Sequence, residues 1–288
     1  MRAKIHSLGI RPNPALGQNF VVDNDLLERE VAYADVRPSD SVLEIGPGIG
    51  NLTVQLLKRT NNVAVIEYDR QFSKPLANLR KRHNSLQVIW GDVLDVKLPN
   101  FDKVVANLPY KIALPILFKI LERRFVSAVF IVQLRLARRI AARVGQTGYC
   151  RAGVAIGRKS RIELIEEVKP ESFFPKPDVE SAILRMERIQ SRFQIPSEIF
   201  FKETLDKLFV HRDNTVQNAI EFDKNRFFPS NILTGLPAKI KKKIVKSVTP
   251  AEFGAIAEMC WDKRSREGLK EINRKYKSRK NSHKDFHG

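Results

Sequence analysis

Five short runs of branched aliphatic residues, "SVLEI" at 41–45, "NVAVIE" at 62–67, "LQVIW" at 86–90, "KVVAN" at 103–107 and "SAVFIV" at 127–132, alternate with helix-length amphipathic segments. A strand that is apolar throughout must be covered on both faces, and a helix between successive strands is what a parallel crossover requires. An α/β domain with a doubly wound parallel sheet is therefore expected. Two later runs, "RIELIEEV" at 161–168 and "SAILRMERI" at 181–189, flank the proline-rich "FFPKPDVES" and suit an antiparallel extension of that sheet. Beyond Ile189 the strand pattern gives way to helical periodicity rich in Lys and Arg, as in 200–211 and 236–248. Two domains follow: residues 1–189, and a smaller basic helical domain over 190–288 whose end, from Lys275, is polar enough to fray.

Lys and Arg number 51 against 32 Asp and Glu, a formal charge of +19 in 288 residues. Such a surplus favours a polyanionic partner, nucleic acid before an anionic membrane surface. No apolar run approaches the roughly 20 residues that span a bilayer, and Met1 to Ile10 lacks the apolar stretch of a secretory signal. A soluble, cytoplasmic protein without a membrane partner is expected. Cys150 and Cys260 are far apart and have no neighbouring Cys or His, and the five histidines form no pair at ligand spacing. No metal site is expected, and the cysteines read as thiols in a reducing compartment.

Ligand chemistry is concentrated at the ends of the apolar runs. "LEIGPGIGNLT" at 43–53 places a strand, a tight turn through Gly46, Gly48 and Gly50, and a helix start in succession. Glycines allow close backbone approach to a ligand, and amides at a helix start favour a negative group. The spacing is G-x-G-x-G after an acidic Glu44, not the G-x-G-x-x-G of dinucleotide sites, and it is the form usual in S-adenosylmethionine enzymes. A sharp bend with no ligand is the alternative. Glu67 ends the second run, where a carboxylate can accept both ribose hydroxyls of a nucleoside. Asp92 follows the third, where it can accept from an adenine amine. Either acid alone is also compatible with a solvated loop.

The fourth run ends in Asn107-Leu108-Pro109-Tyr110. An exocyclic amine conjugated to a base has a delocalised lone pair, so methylating it requires acceptors that grip its N–H bonds and help the nitrogen become tetrahedral. Asn107 Oδ1 and the Leu108 carbonyl can be those acceptors, Pro109 can hold the turn, and Tyr110 offers a face on which a flipped base stacks. Alternatively Asn107 caps the helix expected at 112–122 and Tyr110 packs into the core.

"LGQNFVVD" at 16–23, the glycine turn, "VIEYD" at 65–69, "GDV" at 91–93, "NLPY" at 107–110 and "FFPKPDVESAI" at 173–183 occur in the order seen in the KsgA/Erm rRNA adenine dimethyltransferases, which the chain resembles across its α/β part. Its basic helical end looks like the KsgA branch. The resemblance implies a Rossmann-like fold with S-adenosylmethionine as cofactor, contacted by Asn19, Val21, Gly46, Gly48, Glu67, Asp92 and Asn107, with Gln18 beside the methionine moiety. It also implies that Phe173 joins Tyr110 in sandwiching the adenine. The family's usual reaction makes N6,N6-dimethyladenosine at two adjacent adenosines near the 3′ end of small-subunit rRNA, so the implied partner is the small ribosomal subunit precursor and the implied state a monomer.

For the RNA face, "QLRLARRIAARVG" at 133–145 places Arg135, Arg138, Arg139 and Arg143 at helical spacing, with Leu136, Ile140 and Val144 on another side. A solvated face is the ordinary explanation; a phosphate-binding stripe is favoured by the charge. Departures from the family pattern fall at Lys111, at Leu134-Arg135, around Cys150 and at Asp213, which adds negative charge where relatives carry positive. They bear on RNA docking and not on the cofactor residues. Two other functions are compatible: a ribosome-assembly or RNA-binding factor without turnover, and an adenine N6-methyltransferase acting on large-subunit rRNA or DNA.

Overall fold

The computed structural model describes residues 5, 7–223, 227–229 and 231–262. In chain order its first unit contains β1 (Phe20–Val21), α1 (Asn24–Tyr33), β2 (Val42–Ile45), α2 (Asn51–Leu57), β3 (Val63–Glu67), α3 (Ser73–Arg82), β4 (Gln87–Trp90), β5 (Lys103–Asn107), α4 (Ala113–Leu121), β6 (Ser127–Gln133) and α5 (Leu134–Ala141). After α6 (Arg151–Gly157) come β7 (Ser160–Val168), β8 (Phe173–Phe174) and β9 (Ser181–Arg188).

Seven strands form one sheet in the order β4-β3-β2-β5-β6-β9-β7. The first five are parallel, and β9 joins β6 and β7 antiparallel. The expected Rossmann-like α/β fold and its antiparallel extension are both observed. The apolar runs explain the centre: Ala128 through Val132 of β6 are buried in succession, and each buried Val or Ile contributes roughly 1.5–3 kcal/mol relative to exposure. β4, at the edge, exposes Gln87 and only partly covers its other residues. A separate two-stranded pairing, Phe20 with Phe174 and Val21 with Phe173, fastens the "QNF" loop to the "FFPKP" loop.

The chain forms two compact units. Of the described residues, those up to Ala141 together with Lys159–Ile189 make the first, and Ala142–Arg158 with those from Gln190 make the second. The expected division at residue 189 therefore misses the segment 142–158, whose Tyr149 and Val154 belong to the second unit's core. That unit is built on α7 (Glu198–Val210), α8 (Val216–Glu221), the short α9 (Ile232–Gly235) and α10 (Ala238–Lys241), and α11 (Pro250–Asp262). Its core is aromatic: Phe200 stacks on Phe227 at 5.1 Å and meets Trp261 edge-on at 5.2 Å. The expected helix over 236–248 is only four residues, Ala238–Lys241, followed by a 3-10 turn at Val245–Ser247. Its lysine run supplies no continuous apolar stripe to pack, and the chain instead bridges Ile244 to Thr215. The expected frayed tail from Lys275 lies outside the described residues. Among those described, no helix is long and apolar enough to cross a membrane.

Candidate active site

Neighbouring strands β2 and β5 carry chains that leave in opposite directions, and open α/β sheets form their ligand crevice at such a switch point, beyond the carboxyl ends. Here the glycine turn follows β2 and Asn107 ends β5. Between them lies an open cleft, whose walls include Asn19, Val21, Glu44, Gly46, Asn107, Leu108, Pro109, Tyr110 and Phe173.

Gly46, Gly48 and Gly50 have φ of +69°, +55° and +81°, a region that L side chains rarely adopt. A Cβ on Gly48 would stand 2.9 Å from the Phe20 ring and one on Gly50 2.2 Å from Leu79 Cδ1, so neither position has room for a side chain. A Cβ on Gly46 would meet nothing within 4 Å; its backbone borders open space. The turn is tied to β3 by Glu67, whose Oε2 accepts from the Gly48 N–H at 3.0 Å and whose Oε1 accepts from the Asp69 N–H at 2.8 Å. Burial pushes the Glu67 carboxyl above its ordinary range, and those backbone bonds pull it back down. Asp92, after β4, accepts from the Leu94 N–H at 2.8 Å. Glu67 and Asp92 thus stand at the ends of the next two strands outward, and each carboxylate has lone pairs beyond those it uses.

Glu44 is buried beneath the turn and accepts from Thr53 Oγ1 at 2.6 Å. Burial raises its pKa to about 8. Gln18 does not line the cleft: its Oε1 accepts from the Asn13 N–H at 2.8 Å and its Nε2 donates to Asp69 Oδ2 at 2.7 Å. Its amide is spent on holding the 13–18 loop. Asn19 and Val21, by contrast, are both on the cleft wall.

On the opposite wall, the Leu108 N–H donates to the Ile131 carbonyl at 3.0 Å and fixes the turn against β6. The Tyr110 hydroxyl lies 2.5 Å from Ser181 Oγ, at the start of β9, leaving its ring half-buried at the cleft. Phe173 is buried but reaches the same wall. Asn107 caps nothing, since α4 begins at Ala113 after Ile112 without a side-chain cap. Its carboxamide is oriented with Nδ2 toward Glu30, 3.2 Å from both Oε1 and Oε2, because the reverse sets Oδ1 against two carboxyl oxygens and Nδ2 against donors only. Glu30 was missed from the sequence. Its signal was available: with Leu26, Leu27 and Val31 it occupies the buried stripe of α1.

Of the basic candidates, Arg135, Arg138 and Arg139 are exposed on α5, whose buried face is Leu134, Ala137 and Ile140. Arg138 pairs with Glu167 at 2.6 Å. Arg143 lies beyond the helix, which ends at Ala141, in a turn where the Gln146 side chain accepts from its N–H at 2.6 Å. Asp213 pairs with Lys246 at 2.7 Å, so its charge is locally offset.

A family model described as Ribosomal RNA adenine dimethylase matches residues 10–258. A probable ribosomal RNA small subunit methyltransferase A of Thermococcus sibiricus is 40% identical over 228 residues, covering 77% of this chain and 81% of that protein. The one from Methanothermobacter thermautotrophicus is 37% identical over 265 residues, 91% and 95% of the two chains. Among solved structures, a dimethyladenosine transferase from Plasmodium falciparum superposes with a TM-score of 0.72 at 26% identity, covering 82% of this chain and 95% of that one. The 23S rRNA methyltransferase ErmE superposes at 0.64 and 27%, covering 84% and 99%. Sequence similarity over nine-tenths of a relative's length, on a sheet whose switch point carries the glycine turn and "NLPY", places the chain in the ribosomal RNA adenine dimethylase family, whose members transfer methyl groups from S-adenosylmethionine to adenine in ribosomal RNA.

Proposed function

We propose that this protein dimethylates N6 of two adjacent adenosines near the 3′ end of small-subunit rRNA, acting in the cytoplasm on a precursor of the small ribosomal subunit. The small-subunit assignment is supported by the names of the curated relatives, 34–41% identical. The observation that carries the chemistry is the Asn107 carboxamide at the end of β5, whose Nδ2 faces Glu30 and whose Oδ1 is turned away from it, on the same cleft wall as Tyr110. One chain supplies both walls of the cleft, and it works as a monomer.

The residues present fit the cofactor. The open space at Gly46 is room that a side chain would fill, and Glu67 offers two oxygens that each hold one backbone amide and retain acceptor capacity. Glu67 would hold the ribose, Asp92 the adenine amine, and Asn19, Val21, Gly46 and Gly48 the rest of the molecule. The cofactor supplies a methyl group already activated on a sulfonium, so the protein's work is positioning. Asn107 Oδ1 and the Leu108 carbonyl grip the two N–H bonds of the target amine and favour its pyramidal form. Pro109 holds that turn, while the Tyr110 and Phe173 rings clamp the flipped base. Arg135, Arg138, Arg139 and Arg143, with the basic second unit, contact phosphates and carry little sequence information.

Nucleoside mass spectrometry tests the proposal: unmethylated small subunits and naked large-subunit rRNA are each incubated with the protein and S-adenosylmethionine. Dimethyladenosine in the small-subunit sample alone is the expected result. Product only in the large-subunit sample would move the chain to the activity named for ErmE, and no product in either, with the cofactor bound, would make it an assembly factor.

A further inference from the structure

Glu30 is a fully buried carboxyl on the apolar face of α1, where an aliphatic side chain would satisfy every packing requirement. Enclosing a carboxyl without compensation is costly, so its presence calls for a partner. The groups that act on it are Glu44, a second acid that only makes matters worse, and the Asn107 carboxamide. The contact to Asn107 is specific: both carboxyl oxygens lie 3.2 Å from the same amide corner.

A carboxamide can be turned over by a half rotation with almost no change in shape, but the two orientations are chemically opposite. One presents an acceptor, the other two donors. A substrate amine offers N–H donors, so only the orientation with Nδ2 turned away from it is useful. An ionised carboxyl behind the amide offers only acceptors and selects that orientation outright; a neutral one selects it when its carbonyl oxygen faces Nδ2 and its O–H points elsewhere. Leucine at the same place would leave the choice to chance.

We propose that Glu30 is a positioning residue that holds Nδ2 of Asn107 and thereby presents Oδ1 to the amine being methylated. The inference rests on the role proposed for Asn107, and Glu30 touches neither cofactor nor substrate.

Five variants of the full chain separate the two ideas. Glu30→Leu keeps the volume and removes the acceptor: kcat should fall about tenfold or more, with S-adenosylmethionine affinity by calorimetry within about threefold of wild type. Glu30→Gln keeps a carbonyl acceptor and should retain kcat within about threefold. Asn107→Asp removes the donor and sets two carboxyls together. Adding Glu30→Gln to Asn107→Asp reverses the direction of the hydrogen bond, the introduced amide now donating, and should recover at least about fivefold in kcat. Relief of the two-carboxyl clash alone would raise the melting temperature without recovering kcat, so melting temperature and kcat are read on the same preparations. Wild-type kcat in Glu30→Leu overturns the inference. So does equal kcat in Asn107→Asp with and without Glu30→Gln, a comparison that decides even if the leucine variant does not fold. Failure of the underlying grip is a different result: Asn107→Ala turning over at the wild-type rate.

Discussion

The two walls of the cleft hold their polar groups by different means. On the glycine side Glu67, which stands behind the turn and does not itself line the cleft, is fixed by backbone amides of Gly48 and Asp69, so its geometry is set by the path of the main chain. On the opposite wall the Asn107 carboxamide is fixed by another side chain, Glu30, which comes from a helix 77 residues earlier in sequence. Backbone bonds place a static cradle, suited to a cofactor that binds in one way. A side-chain pair sets the polarity of a single group, which is what an N–H grip demands. The first wall should therefore govern affinity and the second turnover.

Removing Asn107 is the sharpest way to break that contrast. Asn107→Ala should lower methyl transfer by about 10²–10³-fold, the range for deleting one transition-state contact, while cofactor affinity stays within about tenfold. Single-turnover transfer and calorimetry on the same preparation check it. A parallel loss in both would mean that the two walls are not separable.

Glu67→Ala is the converse. With the carboxylate gone, the Gly48 and Asp69 amides lose their acceptor and the ribose loses its proposed partner. Cofactor affinity should weaken by about 1–3 kcal/mol, the usual cost of a buried polar group left unmatched, with transfer at saturating cofactor less affected. An unchanged dissociation constant would remove Glu67 from the cradle.

The same difference between walls explains what could be read in the sequence. β2, β3, β5 and β6 are continuous apolar runs because both faces are covered, and the residues at their ends follow from chain order alone: glycine turn, Glu67, Asp92, Asn107. Contacts that join distant parts of the chain were not legible. The β1–β8 pairing involves two residues per strand, too short for any alternation to show, and separated by about 150 positions. Gln18 stands in a motif shared with the family, yet its amide is claimed by Asp69 and Asn13, which no local pattern reveals. Glu30 sits inside "LLEREVAY", where a run of charges suggests a solvated face; only the helical register, with Leu26 and Leu27 one turn before, marks it as buried. The local structure at Arg143 was hidden for the opposite reason: the periodicity continues to Val144, but the helix stops at Ala141 and the chain passes into the second unit.

The smallest effect expected is a pH dependence carried by the acids behind both walls. Glu44 has its pKa raised from 4.5 to about 8 by burial, and Glu30, which feels the Glu44 charge as well as its own burial, is raised well above its ordinary value. Each binds a proton more tightly in the folded chain than in the unfolded one. The Glu44 contribution to stability is therefore complete below about pH 4.5 and is lost as pH rises through about 8, and the Glu30 contribution is likewise lost on the alkaline side of its ordinary range. Glu44→Gln keeps an acceptor for Thr53 Oγ1 and cannot ionise. Its melting temperature should fall less steeply between pH 5 and 8 than that of the wild type, by about a few degrees over the window. Because Glu30 still titrates, some slope should persist, and Glu44→Gln with Glu30→Gln should flatten it further. Superimposable wild-type and single-variant profiles would mean that Glu44 ionises without penalty, which its enclosure beneath the glycine turn does not allow.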